Sequence, residues 1–386
     1  MIRIAAIVLS AVLLWSAPSF RTGAEIDTSR ERARVLAAAA RYLKEAPITV
    51  TASSSPRSAG GPHDYFSEGD YWWPDPANPD GPYIQRDGMS NPANFDDHRR
   101  ALMRFSVQMP ALVAAYTITK DRKYALQAER HLRAWFMSRQ TRMTPALRYA
   151  QAIHGRVTGR GTGIIDTIHL VEVARAMERL DGAPGWSADD ARLARQWFGD
   201  YIDWLTTDQY GKDERDATNN HATCWVMQVA AFAHLTGNQT VMNDCRNRFK
   251  TVLLQQMAPD GSFPRELQRT KPYGYSLFNL EAMATICQIL SAPDDDLWTY
   301  ELADARGMRR AMAFMAPYIK DKKAWPKPPD VMYEQNWPMR QASLLFAGVA
   351  LKRPDYIDLW STLPADSDVE EVVRNFFIRQ PLLWFD

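Results

Sequence analysis

The sequence predicts an all-α fold: an incomplete (α/α)6–7 toroid of antiparallel helix hairpins with long loops over its cleft. Three observations lead there. Apolar residues recur at helical spacing through most of the chain, the helical runs come in pairs joined by short breaks, and runs of β-branched alternation are scarce. Such pairs bury their apolar faces only against neighbouring pairs, so a closed or nearly closed ring is the economical arrangement for this length, with a long solenoid stack as the alternative.

The pairs follow in order. Leu102, Phe105, Met109, Leu112 and Tyr116 form one stripe, Thr119 to Arg122 breaks it, and Ala125, Ala128, Leu132 and Trp135 form the return. The same grammar recurs in 169–180 and 188–205, with Gly182, Pro184 and Gly185 at the turn. It recurs again in 222–235 and 242–257 around Gly237-Asn238, and in 277–290 and 298–318 around a Pro-Asp break.

Two stretches depart from the pattern. Residues 53–94 carry Tyr65, Tyr71, Trp72, Trp73 and Tyr83 among Gly, Pro and Asp, a composition that excludes regular helix or central strand. Aromatic residues on such a loop suit either a sugar platform, for which Tyr71, Trp72 and Trp73 are the candidates, or the covering of helix ends. Residues 145–167 hold Arg148, Arg156 and Arg160 beside Gly159, Gly161 and Gly163. No Lys-Ser/Thr follows these glycines, so a phosphate loop is not expected, whereas guanidinium groups bind carboxylates in bidentate fashion.

Composition sets the outer bounds. Arg3, the apolar run 4–15 and the small residues Ala17 or Ala24 read as an export signal over 1–24, which leaves 25–386 as one toroid domain of a periplasmic or secreted protein. A net charge of +1 excludes a global electrostatic grip on nucleic acid or membrane. Cys224, Cys245 and Cys287 lack the spacing of a zinc site and read as buried thiols, with one disulfide in an oxidising compartment as the alternative. The seven histidines show no metal-site pairing, so neither metal nor cofactor is expected, and a monomer is the expected state.

Asn219-Asn220-His221 opens one helix, and Arg265, Glu266, Arg269, Tyr273 and Tyr275 follow within one short segment. These are the residue types needed to remove the proton beside a sugar carboxylate. That proton is a poor acid until donors and positive charge neutralise the carboxylate, the task suited to Asn220, His221 and Arg269. A tyrosine near a cation can then act as base and return the proton to the leaving oxygen. Each also has a structural reading: the asparagines as helix caps, the tyrosines as packing.

With these residues in view, the chain resembles the alginate lyase superfamily of α/α-toroid polysaccharide lyases, closest to polysaccharide lyase family 38 and more distantly family 5. The likeness rests on Asp70-Tyr-Trp-Trp-Pro-Asp-Pro, Leu147-Arg-Tyr-Ala-Gln-Ala-Ile through Gly159-Arg-Gly-Thr-Gly-Ile-Ile-Asp166, Asn219-Asn-His, and Glu266-Leu-Gln-Arg-Thr-Lys-Pro-Tyr-Gly-Tyr. It implies Tyr275 as base and acid, with Tyr273 as the competing choice, and Asn220, His221 and Arg269 around the substrate carboxylate. It further implies substrate contacts from Tyr71, Trp72, Trp73, Arg148, Tyr149, Gln151, His154, Arg160, Arg265, Glu266 and Tyr273. The implied substrate is an acidic polysaccharide, alginate (especially polymannuronate) or β-1,4-glucuronan, cut by β-elimination to 4,5-unsaturated ends. Two rival readings stand beside it: a glycoside hydrolase using two of Asp64, Glu68, Asp70, Glu214, Asp216 and Glu266, and a non-catalytic uronan-binding protein.

Overall fold

The computed structural model describes residues 28–385, so the export signal and the domain's start lie outside the described residues. Helices alternate between two kinds. The first kind is α1 (Thr28–Tyr42), α3 (Arg122–Leu132), α5 (Ala188–Thr207), α8 (Gln239–Thr251), α11 (Met308–Lys320) and α13 (Pro354–Thr362), each apolar along one stripe. The second kind is α2 (Asp97–Thr119), α4 (Leu170–Glu178), α7 (Asn220–Thr236), α10 (Pro272–Leu290) and α12 (Ala342–Ala350), buried nearly all round. Shorter helices are α6 (Gln209–Arg215), α9 (Pro264–Leu267) and α14 (Glu370–Asn375).

Burial on every side has one physical meaning: these five helices are the inner wall. They pack in succession, α2 on α4, α4 on α7, α7 on α10 and α10 on α12, while the amphipathic helices cover them from outside. Although α2 is long and apolar enough to cross a membrane, it here forms part of that inner wall. One hydrophobic cluster runs through the ring from Val35 to Phe385. The predicted all-α toroid and its hairpins are therefore observed, with α1, α12 and α13 added to the pairs read from sequence.

The segment 376–385 occupies the middle. Glu172, buried on α4, accepts bonds from the backbone N–H of Arg379 and Gln380 and from the indole of Trp384. Gln288 of α10 donates to the Trp384 carbonyl at 3.2 Å, and Arg175 to that of Leu383 at 2.6 Å. Burial raises the Glu172 carboxyl, and the Gln380, Arg379 and Trp384 donors oppose the shift.

Two details depart from the periodicity. The run expected over 298–318 becomes helix only at Met308, because Asp296 takes the amides of Trp298, Thr299 and Tyr300 into turns, with Glu301 bridged to Gly307. Four short strands also form: β1 (Phe66–Glu68) pairs in parallel with β4 (Tyr149–Ala152), and β2 (Trp72–Trp73) antiparallel with β3 (Ile84–Gln85). The β1–β4 pair stitches the two irregular segments together, and the β2–β3 pair folds the first segment on itself.

Candidate active site

The mouth is built where inner helices begin. At the start of α7, Asn219 takes the cap role, its side chain accepting from His221 N at 3.4 Å, which frees its neighbour for another task. Asn220 is buried and donates twice to Glu266, from its backbone to Oε1 at 2.8 Å and from Nδ2 to Oε2 at 2.7 Å. His221 places Nδ1 2.7 Å from Oε1 of Glu214. Glu214 thus engages one ring nitrogen and leaves Nε2 as the other.

A second group forms where α9 leads into α10. Arg269 makes a bidentate pair with Asp87 at 3.1 and 2.6 Å, and its NH2 also reaches the Tyr275 hydroxyl at 3.2 Å. Its guanidinium carbon stands 4.3 Å from the centre of the Tyr275 ring. The Tyr275 hydroxyl lies 2.8 Å from that of Tyr71, while Lys271, paired with Glu371 at 3.1 Å, stands over the Tyr71 ring. Burial pushes the Tyr275 phenol above its usual range; Arg269 and Tyr71 pull it down without prevailing, and Asp87 opposes them. Burial thus outweighs the lowering expected from a neighbouring cation.

The facing wall comes from the irregular segments. Buried Asp166, just before α4, accepts from Ser67 at 2.6 Å, Gln151 at 3.1 Å and Tyr65 at 3.2 Å. Gln151 in turn holds Arg160, through its side chain at 2.8 Å and its carbonyl at 3.1 Å, and it adopts the left-handed region with φ 50°. Arg156 and Arg160 stand over the ring of half-buried Trp72. Asp70 pairs with both Arg99 of α2 and Arg374 of α14, fixing the chain immediately before Tyr71. A line of contacts thus runs Asp70-Tyr71, Tyr275, Arg269, Glu266, Asn220-His221, Glu214, with the first turns of α2, α7 and α10 and the approach to α4 around one opening.

Several candidates sit differently from what the sequence suggested. Tyr273 is fully buried, its hydroxyl donating to the Tyr318 carbonyl at 3.1 Å and its ring edge-on to Trp325, so it is core and not a substrate contact or base. Glu266 is turned inward to Asn220 and so orients a site residue in place of meeting sugar. Trp73 is tied down by its indole, which donates to Met89 O at 2.8 Å under the Arg86 guanidinium. Arg148 pairs with Asp208 at 2.8 Å, exposed His154 lies tilted against Tyr83 at 5.1 Å between ring centres, half-buried Tyr149 packs against Gly60, and Arg265 is exposed on α9.

The sequence reading missed Asp87, Lys271, Arg374 and the orienting parts of Asp166 and Glu214. A buried acid seven residues before His221 on an amphipathic turn was the available signal for Glu214; a lone Asp87 gave none. The carboxylates a hydrolase would need are engaged: Glu68 with Arg57, Asp70 with two arginines, Asp216 with Arg215 and Arg248, Glu214 and Glu266 as above, and Asp64 with the Gly61 amide. Among the described residues, no group of three or more His, Cys, Asp or Glu is placed to hold a metal ion, and the three cysteines are free and buried.

Comparison with known proteins agrees with this fold. The alginate lyase family model matches residues 49–325. A crystal structure of an alginate lyase from Bacteroides ovatus is similar at 30% identity and TM-score 0.79, over 92% of this chain and 93% of that one. A histidine-to-alanine variant of alginate lyase A1-III complexed with a tetrasaccharide shares the fold at 12% identity and TM-score 0.58, over 94% and 95%. Among proteins of curated function, no sequence matches the chain.

Proposed function

We infer, from the premise that this chain belongs to the alginate lyase family, that it is a polysaccharide lyase that cuts alginate or a related 4-linked uronan by β-elimination. The observation that carries the reading is the contact of Arg269 with the Tyr275 hydroxyl, on the same contact line as Asn220 and His221. Asn220, His221 and Arg269 would meet the uronate carboxylate, where negative charge grows as the C5 proton leaves.

Tyr275 transfers the proton. Because burial keeps its phenol protonated, a free phenolate is a costly intermediate, and an exchange is the better-supported course. The phenolic oxygen accepts the C5 proton while its own proton passes to the C4 oxygen. The C4–O bond breaks, the C4–C5 double bond forms, and the phenol ends neutral as it began. Such a same-face exchange fits β-D-mannuronate and β-D-glucuronate, which share configuration at C4 and C5, so polymannuronate and glucuronan are the proposed substrates. Half-buried Trp72 and Arg160 line the proposed sugar path, with buried Gln151 holding Arg160 in place. We also propose that the protein is exported and acts as a monomer.

The test is ultraviolet absorbance of the conjugated double bond during incubation with polymannuronate, polyguluronate and glucuronan. The expected result is a rise on one polymer that Tyr275→Phe abolishes while substrate binding persists. New reducing ends without that absorbance would make the protein a hydrolase.

A further inference from the structure

Helix α10 carries Tyr275 in its first turn, yet Lys271, the residue before it, supplies no side-chain cap. The open amides of that turn are met from far along the chain. Tyr273 N donates to Oδ1 of Asp330 at 2.9 Å and Gly274 N to Oδ2 at 2.8 Å. A carboxylate gripping two successive amides fixes the direction of the turn as well as its position, and its charge suits the positive end of the helix.

The grip is itself anchored. Asp330 is 6% exposed, its backbone N–H donates to Glu334 at 2.9 Å, Glu334 pairs with Lys322 at 2.9 Å, and Val331 N donates to Thr270 O at 3.1 Å. A Cβ on Gly274 would come within 2.7 Å of Asp330 Oδ2, so the carboxylate is seated against bare backbone. Asp330 also lines the same small cavity as Tyr275, with Lys271, Tyr333 and Glu371.

We propose that Asp330, from the loop after α11, is the positioning residue of Tyr275, setting the first turn of α10 so that the phenol meets Arg269 and Tyr71. The proposal rests on Tyr275 as the proton-transfer group. Arg269 is held separately by Asp87, and Asn220 by Glu266. Loss of Asp330 therefore moves the phenol relative to a carboxylate-binding set that stays in place.

The experiment compares Asp330→Asn, which keeps one acceptor, with Asp330→Ala, which keeps none, in the full chain. A misplacement near 1 Å costs roughly a hundredfold, so kcat is expected to fall about tenfold in the Asn variant and about a hundredfold in the Ala variant, with KM nearly unchanged. Amide exchange at Tyr273 and Gly274, followed by mass spectrometry on the same proteins, is expected to accelerate in the same order. Unchanged exchange overturns the proposal, whatever the activity. Accelerated exchange with unchanged kcat, or an effect confined to KM, overturns it too, and leaves Asp330 a mere helix cap. A wild type that releases no unsaturated ends removes the proposed function first and the positioning role with it. The near-isosteric Asn variant keeps the comparison decisive if the Ala variant does not fold.

Discussion

Replacing Glu266 with Gln isolates the part of the site that orients Asn220. Glu266 is 1% exposed and accepts two bonds from one residue, at 2.8 and 2.7 Å. Glutamine keeps the shape and one acceptor, but turns an NH2 toward one of the two donors. One charge-assisted hydrogen bond is lost, worth about 1.5–3 kcal/mol. The backbone N–H of Asn220 is fixed by α7, so the side-chain amide is the partner that turns away. The negative charge that amide would meet is larger in the transition state than in bound substrate, so the loss falls on turnover. At roughly 1.4 kcal/mol per factor of ten, kcat is expected to drop between about tenfold and a hundredfold, with a smaller change in KM. Initial rates from the double-bond absorbance, with a thermal melt of both proteins, decide it. A variant that melts lower but turns over at the wild-type rate would refute the reasoning, since Glu266 would then support the fold without orienting a catalytic group.

Two further outcomes are expected. Tyr273→Phe should leave kcat within about twofold and lower stability by about 1 kcal/mol, the net value of its bond to the Tyr318 carbonyl, as read from thermal melts. The Asp330 carboxyl is pushed up to about 6 by burial, against the pull of the Tyr273 and Gly274 amides. A raised acid favours the folded state fully only below its unfolded value near 3.9. That contribution is lost as pH rises through about 6. Denaturant melts between these pH values should therefore show the wild type losing up to about 3 kcal/mol relative to Asp330→Asn. A constant difference would contradict the shift.

The ring was legible because it is made of local repeats: apolar spacing of three and four residues marks each inner helix, whatever its partner. The Asn219-Asn220-His221 triplet and the Arg269 to Tyr275 spacing were legible because each is a short contiguous run of chemistry-bearing residues, the first at the start of α7 and the second across the approach to α10. Tyr273 and Tyr275 were not separable in sequence, although geometry separates them. Two residues on a helix differ by about 200° in direction, so when one faces the mouth the other faces the core. Asp87, 182 residues from Arg269, and Asp330, 57 residues from Tyr273, were invisible, because a long-range pair leaves no period behind. The dense ion pairing around Asp166 and Asp70 also drew no notice, since each acid alone resembles any surface aspartate.

The gathering of inner-helix starts at one opening has a consequence for encounter. Each contributes about half a positive charge at its first turn. Arg269, Arg160 and Arg156 stand in the same region, on a molecule whose net charge is only +1. Asp87, Glu214, Glu266, Glu371 and Asp330 lie among them and already hold Arg269, His221, Asn220, Lys271 and the first turn of α10, so the pull left for a polyanion comes mainly from Arg156 and Arg160 and falls off within the Debye length, about 10 Å at 0.1 M salt. Added salt is therefore expected to weaken capture at those two arginines more than it alters the paired groups beneath them.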